Sequence, residues 1–278
     1  GMDISEVLFV PYDGSGRADR IGLNFTEVGM GVRSSVSLYD RGHTAVSHMK
    51  PGDVNWNRIF AKNRVRLFHT GGIFAALSDS CAEVTIEALK AASEAGTVTS
   101  YDLNFRSKLW SSKKAIEVTN RIIPYVDMLI GNEEDFHKSL GFEIEGINKN
   151  FKNLPIEPYQ KMVKHVIKRF PHLSIVGTTL REVISGLVNN WSAIVCYDGK
   201  FYKSKMYKNM EIEDRVGGGD GFCSGFIYGV LNNLQPQECV ELGVAHGALL
   251  QTTRGDTSMV TLEEVKHVMS GGSARIKR

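Results

Sequence analysis

"DRVGGGDGFCSG", residues 214–225, places three consecutive glycines directly before an aspartate, and a helical pattern starts at once behind them. Phe222, Phe226, Ile227, Val230 and Leu231 recur at the spacing of one helix face, so Gly217, Gly218 and Gly219 form the approach to a helix N-terminus. The free N–H groups of a first helical turn point outward and carry partial positive charge. Glycines remove the side chains that would hold an anion away, and together these features make a cradle suited to a phosphate. An aspartate beside that cradle would repel a phosphate if binding were its only role. Asp220 makes sense facing a second substrate, where it would accept a proton from a hydroxyl while the cradle holds the phosphoryl group in transfer. The plainer alternative is a glycine-rich turn with Asp220 as a helix cap. The stretch is not a P-loop, because no Lys-Ser or Lys-Thr follows the glycines. It is not a dinucleotide fingerprint either, because position 222 is Phe.

Working outward, strands alternate with helices from about residue 64. "VRLFHTGGI" reads as a buried strand, and "SDSCAEVTIEALKAASEAG" as a helix with Ser80 and Glu83 spaced as a capping box and Gly96 as its stop. Strands follow at "TVTSYDLNF", "YVDMLIGN" and "LSIVGTT", with helices over "SSKKAIEVTNRIIP", "EEDFHKSLG" and "PYQKMVKHVIKRF"; residues 142 to 157 read as a loop or linker. A hairpin turns at Asp198-Gly199, helices cover about 221–233 and 236–251, and "TLEEVKHVM" closes the chain as a helix capped by Thr261 and Glu264. Residues 21 to 49 are rich in β-formers and broken by glycines, which predicts a separate, mostly β region. This alternation implies an α/β fold with a mainly parallel sheet covered on both faces. Ligands in such folds sit beyond the carboxyl ends of the strands, which selects Gly71-Gly72, residues 104–106, residues 132–135 and the "TTLR" at 178–181 as candidate loops.

Bulk properties narrow the function class. The net charge of +2 over 278 residues argues against an obligate nucleic-acid binder and a polybasic membrane anchor. No apolar run is long enough to span a bilayer. Cys81, Cys196, Cys223 and Cys239 are scattered without metal-type spacing and are expected as reduced thiols of a cytoplasmic protein.

With these elements placed, "DRVGGGDGFCSG" resembles the C-terminal signature of the ribokinase-like (PfkB) sugar kinases, with Arg215 where that pattern has Thr and Gly218 where it has Ala. "YDLNFRSKLW" at 101–110, "GNEEDF" at 131–136 and "TTLRE" at 178–182 occur in the matching order, and with "VGGGD" they resemble the 2-keto-3-deoxygluconate kinases of that family. The resemblance implies a three-layer ribokinase-like fold with a small β lid inside a partial N-terminal region at 1–50, and an α/β domain with the nucleotide site at 51–278. It implies ATP-dependent phosphorylation of a sugar acid at its C6 hydroxyl, with Mg²⁺ accompanying ATP and Asp220 as base. Gly217, Gly218 and Gly219 would form the anion hole. Tyr39 and Arg41 would reach over the substrate from the lid, and Asn104 and Arg106 would grip it, a guanidinium being suited to a carboxylate. Thr179 and Arg181 would lie near the nucleotide. Asn132 and Asp135 would help organise Mg²⁺ and phosphates, although Asp135 stands where the family has Glu. Among partners, the resemblance implies a homodimer through the β lid. It also implies first strands ahead of the residues that match Gly1 to Ser5, which leaves catalytic competence an open expectation. A neutral-hexose kinase of the same fold, or a non-catalytic fragment, are the alternatives.

Overall fold

The computed structural model describes residues 2–62, 64–142 and 156–272; the expected linker at 142–157 lies mostly outside them. Two strands, β1 (Leu23–Glu27) and β2 (Val36–Asp40), pair antiparallel as an arm of their own. The body follows: β3 (Leu67–Gly71), α1 (Gly72–Ala75), α2 (Asp79–Glu94), β4 (Val98–Asp102), α3 (Ser112–Ile122), β5 (Met128–Gly131), α4 (Glu133–Leu140), α5 (Ile156–Arg169) and β6 (Ile175–Val183). The chain then forms β7 (Val188–Tyr197), β8 (Lys200–Lys203), β9 (Tyr207–Glu211), α6 (Gly218–Leu231), α7 (Pro236–Leu250) and α8 (Leu262–Met269).

One sheet runs β3-β4-β5-β6-β7-β8, with β9 beside β7. Pairings from β3 to β6 are parallel, as the crossover helices require, and those made by β7 are antiparallel. Alternation along the strands supplies two cores. Tyr101, Leu129 and Val176 point to one face, against Leu89 of α2, Val118 and Ile122 of α3, Phe136 of α4 and Met162 of α5. Met128, Ile130, Ile175 and Val195 point to the other, against Phe222 and Phe226 of α6 and Val240 and Val244 of α7. The result is the expected α/β/α sandwich with a mostly parallel sheet and a small antiparallel sheet.

Helices α6 and α7 meet through their glycines. A Cβ on Gly225 would stand 2.7 Å from the Leu242 carbonyl oxygen, one on Gly221 3.0 Å from the Gly247 Cα, and one on Gly247 2.7 Å from the Gly218 carbonyl oxygen. The two backbones are therefore in direct contact.

Four sequence expectations are corrected. The α2 cap is Ser78, whose hydroxyl accepts from the Cys81 N–H at 3.1 Å and donates to the Ser47 carbonyl at 2.8 Å; Glu83 instead takes both guanidinium nitrogens of Arg121. Residues Ala45–His48 form a 3₁₀ turn rather than strand, because Ser47 satisfies the Thr44 carbonyl locally, at 2.7 Å. The "TTLR" segment lies inside β6 rather than in a loop beyond it, since antiparallel pairing with β7 extends that strand to Val183. The strand β9 was not expected at all: its residues alternate weakly and it pairs only over a short, bulged stretch of β7. Other expectations hold, including the Gly96 stop in left-handed conformation (φ 72°), the turn at Asp198-Gly199 and the Thr261–Glu264 capping box.

Candidate active site

The site opens at the carboxyl ends of β4, β5 and β6. Gly217 is the N-cap of α6 with φ 80°, a left-handed conformation that suits glycine, and Gly218 and Gly219 are its first two helical residues. Space over Gly219 is open, whereas Gly218 is backed by the Gln251 side chain. The approach is held by Asp214, which is buried and accepts from the N–H groups of Val216 at 3.1 Å and Gly255 at 3.2 Å. A helix N-terminus held in this way offers its first-turn N–H groups to an anion.

Asp220 follows as the third residue of the helix. Solvent reaches it, yet the crowding of protein around it raises its pKa, Arg106 pulls the pKa back down and Asp256 adds to the rise. A carboxylate so placed is a competent proton acceptor.

Arg106 is the electrostatic hub. It follows β4 in a turn, its Nη1 donates to the Phe105 carbonyl at 2.8 Å, and it acts on the carboxylates of Asp102, Asp135 and Asp220 and on the guanidinium groups of Arg41 and Arg181. Asn104, two residues earlier, has φ 36°, a conformation uncommon for a side-chain-bearing residue and one that turns the chain off the strand. Arg41 comes from the arm and stacks on Tyr39, its Cζ 4.2 Å from the ring centre. Burial lowers the Arg41 pKa, as does the nearby Arg106. The arm therefore reaches the site with Tyr39 and Arg41 together.

Asn132 and Asp135 do something more specific than the sequence suggested. They form a reciprocal cap on α4: Asn132 Oδ1 accepts from the Asp135 N–H at 3.0 Å and Asp135 Oδ2 from the Asn132 N–H at 2.9 Å. The other oxygen of Asp135 accepts from the Phe105 N–H at 2.8 Å. Asp135 thus ties the α4 N-terminus to the residue before Arg106. Glu133, half-buried, faces Arg181, which lowers a pKa that burial raises. Thr179 sits two residues before Arg181 on β6, half-buried.

One residue of the site escaped sequence reasoning. Asp102 ends β4, is 8% exposed, and is pushed up to about 8 by burial and by Asp135 and Asp220. Its Oδ2 is 3.7 Å from the Cys223 sulfur on α6. A buried-looking strand ending in an aspartate, two residues before Asn104, was the available signal.

A carboxylate beside a bare helix N-terminus, at the strand ends of an α/β/α sandwich, defines a phosphotransferase that acts on a hydroxyl. The particular family follows from sequence: the chain belongs to the pfkB family of carbohydrate kinases, whose profile matches residues 17–262. It is 30% identical over 259 residues to 2-dehydro-3-deoxygalactonokinase of Haloferax volcanii, covering 93% of this chain and 73% of that protein. The crystal structure of 2-dehydro-3-deoxygluconokinase from Thermotoga maritima superposes with a TM-score of 0.84 at 38% identity, over 91% of this chain and 74% of that one. The fructokinase of Xylella fastidiosa, crystallised with ATP, shares the fold at a TM-score of 0.67 and 17% identity over 92% of this chain and 75% of that one. The chain is accordingly an ATP-dependent phosphotransferase of the carbohydrate kinase type.

Proposed function

We propose that the protein phosphorylates a 2-keto-3-deoxy sugar acid, 2-keto-3-deoxygluconate or its galactonate epimer, at the C6 hydroxyl. The observation that carries this reading is Arg106, which lies near Asp220 on one side and near Arg41 of the arm on the other. Two guanidinium groups at the acceptor end match an anionic substrate better than a neutral hexose, because Arg41 adds a second positive charge beside the one that Asp102, Asp135 and Asp220 already face. The names of the relatives from Haloferax volcanii and Thermotoga maritima point to the same substrate class.

In the transfer, the C6 oxygen attacks the γ-phosphorus of ATP, the new O–P bond forms as the bond to the β-phosphate oxygen breaks, and ADP leaves. Asp220 takes the hydroxyl proton. The N–H groups of Gly218 and Gly219 face the oxygens of the phosphoryl group in flight. Thr179 and Arg181, from β6, flank the nucleotide phosphates. Tyr39 and Arg41 close over the sugar from the arm, which gives the arm the role of a lid.

Mg²⁺ fits as a companion of the nucleotide rather than a resident ion. No cluster of three or more metal-binding side chains occurs among the described residues, and both Asp135 oxygens already accept backbone N–H groups. Glu133 and Glu134, on the first turn of α4, would be the carboxylates left for a water-mediated contact, in keeping with an ion that retains most of its water. Mg²⁺ bound to ATP would neutralise charge on the β- and γ-phosphates.

The register of the arm places Leu23, Phe25, Val36 and Leu38 on one face, all exposed, and Thr26, Ser37 and Tyr39 on the other. A bare apolar face of this kind supports the homodimer through the lid.

A coupled ADP-release assay across both keto-deoxy epimers and a set of neutral hexoses tests the substrate. Turnover of the acids at low KM is expected. Turnover of a neutral hexose at equal or better kcat/KM would replace this reading with that of a neutral-sugar kinase.

A further inference from the structure

Arg215 stands two residues before the cradle, where the family signature has Thr, and neither the phosphoryl transfer nor the fold explains a guanidinium there. Its hydrogen bonds lead away from the cradle, although its guanidinium also feels that of Arg181. Nη2 donates to two successive carbonyls, Ser185 at 2.8 Å and Gly186 at 3.1 Å. These residues form the tip of the β6–β7 hairpin, which closes on itself through the Ile184 and Ser185 N–H groups to the Val188 carbonyl. The tip in turn touches the arm. The Gly186 N–H donates to the Gly31 carbonyl at 3.0 Å. A Cβ on Gly186 would stand 2.9 Å from the Arg33 carbonyl oxygen and 3.1 Å from the Met30 nitrogen.

Residues 28–35 are the loop that joins β1 to β2. It is turned tightly on its own backbone: the Arg33 N–H reaches the Met30 carbonyl at 3.0 Å and the Gly29 N–H reaches the Ser35 hydroxyl at 3.0 Å. Elsewhere the strands of the arm are largely exposed. A two-stranded ribbon is marginal by itself, so its placement depends on such anchors. Three segments distant in sequence therefore converge: the approach to the cradle, the hairpin tip and the arm loop. Arg215 is the side chain that joins the first two, and bare backbone at Gly186 joins the second to the third.

We propose that Arg215 is a positioning residue that anchors the arm, and hence Tyr39 and Arg41, by holding the β6–β7 tip against the arm loop. The residue acts through Ser185 and Gly186 and not by touching ATP. Its planar fork suits the task, because neighbouring nitrogens are fixed relative to one another and one of them already spans two adjacent carbonyls. The role belongs to the kinase reaction of the family and is independent of which sugar acid is the acceptor.

Hydrogen exchange on the ligand-free protein reads the anchor directly and requires no substrate. Arg215→Thr is expected to speed exchange in peptides covering residues 28–35 by roughly tenfold, the loss of charged hydrogen bonds at the tip. The strands Met128–Gly131 and Ile175–Val183 should stay protected, which shows that the variant is folded. Arg215→Lys, a point charge without the fork, should give a smaller increase. Gly186→Ala, which pushes the arm loop off the tip while leaving Arg215 in place, should reproduce the effect, and the double variant Arg215→Thr with Gly186→Ala should be no faster than either alone. Titration with ADP supplies the opposing arm, with affinity in Arg215→Thr expected within about twofold of wild type. Unchanged exchange at 28–35 in Arg215→Thr overturns the proposal whatever Gly186→Ala does. So does a tenfold loss of ADP affinity, which would make Arg215 a nucleotide ligand. Neither result bears on the identity of the sugar.

Discussion

The body and the arm solve the same problem, the placing of functional side chains, in opposite ways. In the body Asp220 rides on a helix whose neighbours Phe222 and Phe226 are wholly buried and whose backbone lies against α7. Arg106 is set by a strand end, by the unusual backbone at Asn104 and by the carboxylate of Asp135 bonded to the residue before it. In the arm Tyr39 lies on β2 and Arg41 just past its end, on a ribbon of two five-residue strands with one apolar face exposed, held by a cross-strand contact of Thr26 with Ser37 at 3.0 Å and by the loop at Gly186. The difference teaches that the proposed base and Arg106 share one support while Tyr39 and Arg41 have another: damage to the body should remove catalysis, acid recognition or the fold itself, and damage to the arm should weaken binding alone.

The sharpest contrast is in turnover. Asp220→Asn is expected to reduce kcat by ~10²–10⁴-fold with ADP affinity retained, the range of a lost general base. Arg41→Ala on the arm should raise the KM of the acid and leave kcat within a few-fold. Near-normal kcat in Asp220→Asn would show that the body carries no base. Stability should divide the same way. Phe226→Ala, in the core beneath the sheet, is expected to cost ~3–5 kcal/mol in chemical denaturation. Phe25→Ser, 59% exposed on the arm, should fall within about 0.5 kcal/mol in the monomer. A large loss from Phe25→Ser in a protein shown by light scattering to be a dimer would mean that the arm is folded by its partner.

Much of this division was legible in sequence, for reasons that differ by region. Helices of the body announce themselves through periodic apolar faces and caps, and the glycine run before Asp220 has few physical uses. Asp102 stayed hidden because its importance comes from Asp135, Asp220 and Cys223, residues 33, 118 and 121 positions away that the sheet brings together. The cap that Asp135 makes with Asn132 is local and its spacing stands in the sequence, whereas the bond from Phe105 to Asp135 joins two elements and was hidden for the same reason. The true length of β6 depended on its pairing with β7, which no local pattern records.

Asp102 gives the body a pH signature that the arm lacks. Its pKa rises from 3.8 to about 8 in the folded protein, so between these values the folded state holds a proton that the unfolded state has released. Its contribution to stability is therefore full below about pH 4 and is lost progressively up to about pH 8, by an amount on the order of a few kcal/mol. Asp102→Asn should flatten that slope, and denaturation curves between pH 5 and pH 8 check it. An unchanged slope would show that Asp102 is ionised in the fold throughout.

The smallest expected effect separates the two arginines. Arg106→Lys replaces a planar fork by a point charge and should raise the KM of the acid by roughly tenfold, with a neutral sugar barely affected. Arg41→Lys should do less, because Arg41 is carried by the more yielding support. Equal effects of Arg106→Lys on acid and neutral sugars would make Arg106 a structural residue.

The glycine contacts between α6 and α7 have a mechanical meaning. Side chains in a core can change rotamer and absorb a small displacement, but two main chains in contact cannot. With Gly221 against Gly247 and Gly225 against Leu242, the helix bearing Asp220 rests on a hard bearing surface. A methyl group added at Gly225 has nowhere to go except by driving the whole helix away, and the carboxylate would move with it. The proposed proton acceptor is thereby insulated from adjustments made elsewhere in the molecule. On the proposed reading, changes in acceptor preference would have their room in the turn at residues 104–106 and in the arm, where a side chain can be exchanged without shifting the helix that carries Asp220.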